Sequence, residues 1–215
     1  FGNTASWKEE VLLHDGGKIV VERFYHLGGK PTLESRERRA LDETASFELP
    51  GAQERVIWKT EFNDSVPDPN SLNLLVLGIV GGTPYLATYP VGCISYNKWG
   101  RPNPPYIFFR YDGDDWKKIP LEEFPPELSK VNVIVGRPPA KLLKPFYTIE
   151  QVKEQNRNIH TERYRTIIRT PFDPKALEKG CPVLVRKKDG WYSPRGPKAP
   201  HPIQPKQSEN KTGSK

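Results

Sequence analysis

Five carboxylates crowd a short stretch of this 215-residue chain: Asp112, Asp114 and Asp115, then Glu122 and Glu123. Two such groups facing each other across a cleft act as acid and base on a glycosidic bond. A carbohydrate-active hydrolase of the cell envelope is therefore the enzymatic reading of the sequence. The local pattern favours a plainer role. The aspartates fall at a hairpin turn, where short acidic side chains accept hydrogen bonds from nearby backbone N–H groups. The glutamates precede Phe124-Pro125-Pro126 and resemble a solvated turn. His14, His26, His160 and His201 never approach one another, or a cysteine, at ligand spacing, so no metal site is expected. No G-x-S-x-G elbow, phosphate-binding loop, G-x-G-x-x-G or H-E-x-x-H motif occurs. No catalytic residue and no cofactor is assigned, and the chain reads as non-enzymatic.

Residues suited to contact stand out more clearly. Between Ser95 and Tyr106, Pro102, Pro104 and Pro105 fix φ and stiffen the loop. Tyr96, Lys98, Trp99, Arg101 and Tyr106 are of the types that anchor interfaces. They form one candidate partner-binding set. The alternative is that Trp99 and Tyr106 are core residues and the prolines only shape a crossover. A second set lies in the tail, where Arg195, Lys198, Lys206, Lys211 and Lys215 are spaced by prolines. A proline-restricted cationic segment loses little further freedom when it lies along an anionic surface.

Charge is distributed unevenly. Residues 1–180 carry a net +1 and residues 181–215 carry +6, which together make the net charge of +7. The body is thus nearly neutral and lacks the basic groove expected of a nucleic-acid-binding domain. Nucleic acid ranks last among the partner classes, behind a protein partner or an anionic envelope surface. No apolar run approaches the roughly 18 residues of a membrane span. Cys93 and Cys181 are the only cysteines. They read either as two buried thiols or as one disulfide in an oxidising compartment.

The elements that must position these residues are mainly strands. Asp-Gly and Gly-Gly pairs supply the positive φ of tight hairpins between β-branched and aromatic runs. Five such units flank turns at residues 14–17, 50–51, 81–82, 112–114 and 188–190. Residues 131–135 and 164–169 read as further strands. Thr148 with Gln151 forms a capping-box signature for a helix over about residues 149–160. Asp173-Pro174 followed by Gly180 suits one short helix. Residues 30–44, of mixed charge, read as a surface loop or helical turn. The fold expected is mainly β, with antiparallel hairpins forming a sandwich or partly closed barrel. It has one domain over residues 1–193 and an extended basic tail over 194–215.

Two runs carry a family likeness: Ser6-Trp7-Lys8-Glu9-Glu10-Val11-Leu12-Leu13-His14-Asp15-Gly16, and Tyr96-Asn97-Lys98-Trp99-Gly100-Arg101-Pro102-Asn103-Pro104-Pro105-Tyr106-Ile107-Phe108-Phe109. Over roughly residues 4–193 the chain resembles a family of uncharacterised exported proteobacterial proteins. That resemblance implies an N-terminal hydrophobic segment, periplasmic or other export, and no assigned activity. The absence of methionine, even at position 1, fits a missing N-terminal segment. The function expected is that of an exported interaction protein, an accessory subunit of an envelope complex, docking through the rigid loop and the cationic tail.

Overall fold

The computed structural model describes residues 4–28, 39–60, 72–188 and 190–194. The fold is mainly β. The first sheet is built from β1 (Thr4–Leu12), β2 (Lys18–Gly28), β3 (Arg39–Glu48) and β4 (Arg55–Lys59), paired antiparallel. In the second, β5 (Leu72–Val80), β6 (Thr83–Pro90), β7 (Ile107–Tyr111) and β8 (Trp116–Ile119) follow one another as antiparallel neighbours. The short β9 (Phe146–Tyr147) adds to the free side of β1 as a parallel pair. Neither sheet closes on itself.

Burial explains the two kinds of strand. In β1 and β2 every second residue is buried, as expected for a sheet with one face in water. The exposed face carries ion pairs such as Lys8–Glu22 at 2.7 Å. In β5 burial is nearly continuous because both faces are covered. Leu72, Leu74 and Leu77 join Val11, Val21, Phe47 and Trp58 of the first sheet in one core. Leu75 and Val76 face the opposite way, into a second cluster with Phe108, Phe124, Leu128 and Ile167. A bulge between Leu74 and Val76 makes this possible, since one extra residue flips the alternation. Gly78 then lies so close to Leu128 that a Cβ would come within 2.3 Å of its side chain. Each large apolar side chain buried this way contributes about 2–3 kcal/mol.

Three expectations need correction. Residues 131–135 and 164–169 are not strands; a single bridge, Lys130 to Thr166, is all the ladder they form. Asparagine side chains supply the missing partners. Asn132 accepts from Leu77 N at 3.0 Å and donates to Leu77 O at 2.8 Å, so its amide pairs with the outer edge of β5. The same amide nitrogen reaches Leu12 O on β1 at 2.9 Å. Asn156 does likewise for Val133 O, at 2.7 Å, and Val135 N, at 3.1 Å. Of residues 30–44, those from Arg39 onward belong to β3, while residues 30–38 lie outside the described residues.

Helices are few and short. Among the described residues, α1 (Gly92–Lys98) follows β6, and α2 (Ile149–Gln155) begins at the expected capping box but stops before residue 160. The third helix, α3 (Pro174–Gly180), has the expected Asp173 cap, with the side chain accepting from Lys175 N at 3.0 Å. A last hairpin joins β10 (Val185–Lys187) to β11 (Gly190–Tyr192). No helix among the described residues is long and apolar enough to cross a membrane.

Candidate functional site

The proline-aromatic loop starts from α1, which no sequence signal announced. Its entry, Gly92, has φ of 79°, a left-handed conformation that favours glycine. At the other end Arg101 takes φ of 55°. For a residue with a Cβ this costs about 1 kcal/mol, and it is held in place by several contacts. Arg101 N donates to Tyr96 O at 2.9 Å, and its guanidinium stacks 4.9 Å from the Tyr96 ring centre. Nη1 reaches Pro182 O at 3.1 Å.

The loop's aromatic residues point inward. Tyr96 is 7% exposed and donates to Pro102 O at 3.2 Å. Tyr106 is 3% exposed; its hydroxyl donates to Arg163 O at 2.9 Å and accepts from Ile168 N at 3.3 Å. Burial pushes both phenols above the ordinary tyrosine range. Trp99 is half-buried, edge-on to Phe109 at 6.1 Å, with Lys118 Nζ 5.7 Å from its ring centre. Lys98 alone of the five is exposed.

What the loop grips is the chain's own C-terminal arm. Asn97 donates to Cys93 O at 2.8 Å and to Pro182 O at 3.0 Å, and accepts from Leu184 N at 2.9 Å. Asn103 exchanges two bonds with the backbone of Phe172, at 2.9 and 2.7 Å. Cys93 and Cys181 are joined as a half-buried disulfide, so the bonded alternative is the one realised. Sequence reasoning found this loop and missed Asn97 and Asn103. The signal lay in their chemistry: a carboxamide offers both donor and acceptor and can stand in for a backbone pair.

The arm itself buries little. No residue of α3 is buried, and Lys175, Lys179, Lys187 and Lys188 are exposed. Lys187 Nζ lies 4.8 Å from the Tyr192 ring centre. Trp191, 9% exposed, seats the far end. The tail cations Arg195, Lys198, Lys206, Lys211 and Lys215, and the tail over 195–215, lie outside the described residues.

The carboxylates first suspected of chemistry are spread along the β7–β8 hairpin and the short turn after it. Asp112 accepts from Asp114 N at 3.1 Å and Asp115 N at 2.9 Å, and those bonds hold its carboxyl below the ordinary range. Asp115 caps Trp116 N at 2.8 Å and sits 3.5 Å from Lys117 Nζ. Glu122 is exposed, and Glu123 lies 3.5 Å from Arg110. His14 and His160 are exposed, His26 meets Asp42 at 2.8 Å, and His201 lies outside the described residues. Among the described residues no three His, Cys, Asp or Glu side chains are grouped to hold a metal ion.

Elsewhere, an open groove of about 1300 Å³ runs between α2, the end of β1 and residues 127–132 and 162–166. Its walls carry both signs of charge, including Glu10, Glu127, Lys130, Glu154 and Arg165. Glu10 is held below its ordinary range by hydrogen bonds from Lys18 and from Ile149 N. Neither Asp115 nor Glu122 lines it.

A second feature escaped the sequence altogether. Glu9, Arg23 and Glu43 occupy inward positions on β1, β2 and β3, each 2% exposed or less. Arg23 Nη1 donates to Glu9 at 2.5 Å, and Nη2 donates to Glu43 and, at 3.0 Å, to Tyr25 Oη. Trp7 and Tyr25 stack 5.4 Å apart with the guanidinium close to both rings.

Comparison with protein-family models, curated proteins and solved structures finds no match to this chain.

Proposed function

We propose that this chain is a non-enzymatic interaction protein, exported to the periplasm or beyond, that serves as an accessory subunit of a cell-envelope complex. It docks on an anionic partner, either an acidic protein face or the anionic envelope surface. The rigid loop at residues 95–106 is the mount, and the cationic arm and tail make the contact. One observation carries this reading: three of the loop's polar side chains are spent on fixing the arm. Asn97, Arg101 and Asn103 all bond the backbone of residues 172–184, and the disulfide adds a covalent link. Such fastening supports a role in which the arm must leave the body at a defined place, with its lysines outward. Export is supported by the resemblance at the two sequence runs and by the disulfide, a bond that persists in oxidising compartments.

The test is affinity capture from solubilised envelope, together with binding to acidic and to zwitterionic phospholipid vesicles, with and without residues 194–215. A protein partner gives a stoichiometric band lost on truncation; a surface target gives truncation-sensitive binding to acidic vesicles only. Undiminished binding by the shortened chain in both assays refutes the proposal.

A further inference from the structure

The Glu9–Arg23–Glu43 cluster holds one cation against two acids in a space closed to water. The three side chains are 0%, 1% and 2% exposed. The two carboxyls are not equivalent. Glu9 has a donor on both oxygens: Oε1 receives Arg23 Nη1, while Oε2 receives Trp7 Nε1 at 3.0 Å and Ile134 N at 3.2 Å. Glu43 Oε1 receives Arg23 Nη2, but among the described residues Oε2 has no partner. A charged oxygen without a donor in a dry interior costs far more than a neutral hydroxyl in the same position. Placing a second full negative charge beside Glu9, with a single guanidinium between them, adds like-charge repulsion.

We propose that Glu43 is a proton-binding site, and that the folded protein holds a proton there to higher pH than the unfolded chain does. The groups that face it are Glu9 from β1, Arg23 and Tyr25 from β2 and Tyr89 from β6. On its own strand, Asp42 is paired with His26 on the other face. Burial raises the Glu43 carboxyl above the ordinary glutamate range; the Arg23 charge and hydrogen bonding with Tyr25 and Arg23 oppose this, and Glu9 reinforces it. The cluster also fastens residues 134–136, since Arg23 Nη1 donates to Ile134 O at 3.2 Å and Tyr25 Oη to Gly136 O at 3.4 Å.

The sign follows from linkage. A carboxyl raised on folding stabilises fully below its unfolded value, and that contribution is lost as pH rises to the folded value. Within that window the unfolding equilibrium constant increases by up to about tenfold per pH unit, and above it the contribution is constant. The experiment is urea unfolding of the oxidised full chain across the window, for wild type, Glu43→Gln and Glu9→Gln. Glu43→Gln, the neutral mimic, is expected to lose this slope and to equal or exceed wild type at the alkaline end. Glu9→Gln is expected to weaken the fold and, by removing a neighbouring charge that favours the proton, to narrow the window without abolishing the slope. An unchanged slope in Glu43→Gln, or its loss in Glu9→Gln alone, overturns the assignment. Should Glu43→Gln not fold, carboxyl carbon NMR of the wild type decides. One glutamate titrating well above the rest supports the site, and none doing so overturns it.

Discussion

Asn97 accepts the backbone N–H of Leu184 at 2.9 Å, across a sequence separation of 87. The same amide donates to Pro182 O, so one side chain bonds the arm on either side of Val183. This is the pairing a neighbouring strand would make, supplied by a helix residue.

Replacing Asn97 with alanine leaves those backbone groups without their partner at a half-buried site. The expected loss is about 1–3 kcal/mol, with faster amide exchange at Leu184. Lys98→Ala, one residue on and exposed, is expected to change stability by less than about 0.5 kcal/mol. Urea unfolding and hydrogen exchange on both variants check the contrast.

The disulfide closes a loop with a sequence separation of 88. Loop-closure entropy values such a link at about 4–5 kcal/mol, an upper figure. The Cys93→Ser/Cys181→Ser variant is expected to unfold at distinctly lower urea than the oxidised protein. The oxidised protein, denatured without reductant, is expected to show no free thiol. Denaturant titration and a thiol count measure these two outcomes.

Asn132 bonds the edge of β5 and the end of β1 at once. Asn132→Ala removes the partner of Leu77 N, Leu77 O and Leu12 O, at an expected cost of about 2–3 kcal/mol. It also bares a strand edge, and such edges invite pairing with another chain. Unfolding titration and size-exclusion over a concentration series are the checks, with concentration-dependent association expected only in the variant.

Much of the fold could be read before the structure because its signals are local. Gly81-Gly82 and Asp112-Gly113 turn the hairpins they imply, Thr148 and Gln151 cap α2 reciprocally, and Asp173 caps α3. The failures are non-local. Residues 131–135 have the alternation and β-branching of a strand, yet their partners are the edge of β5 and the side chain of Asn156. Residues 39–44 conceal a strand because the positions flanking the inward Glu43, Asp42 and Thr44, are polar and Glu43 is charged as well. That charge makes sense only beside Arg23 on another strand. The candidate site was half legible: composition picked out the loop, while the direction its side chains face depended on an arm some 80 residues later in the chain.

Three proteins titrated side by side against the captured partner, or against acidic vesicles, over a range of salt decide the matter: the full chain, a chain ending at Ser193, and Asn97→Ala. Each cation near an acidic surface contributes on the order of 1 kcal/mol, so the chain ending at Ser193 is expected to bind more than about tenfold more weakly. Added salt is expected to reduce that difference, and Asn97→Ala to fall between the other two. Equal affinity of the full and shortened chains at low salt contradicts the account.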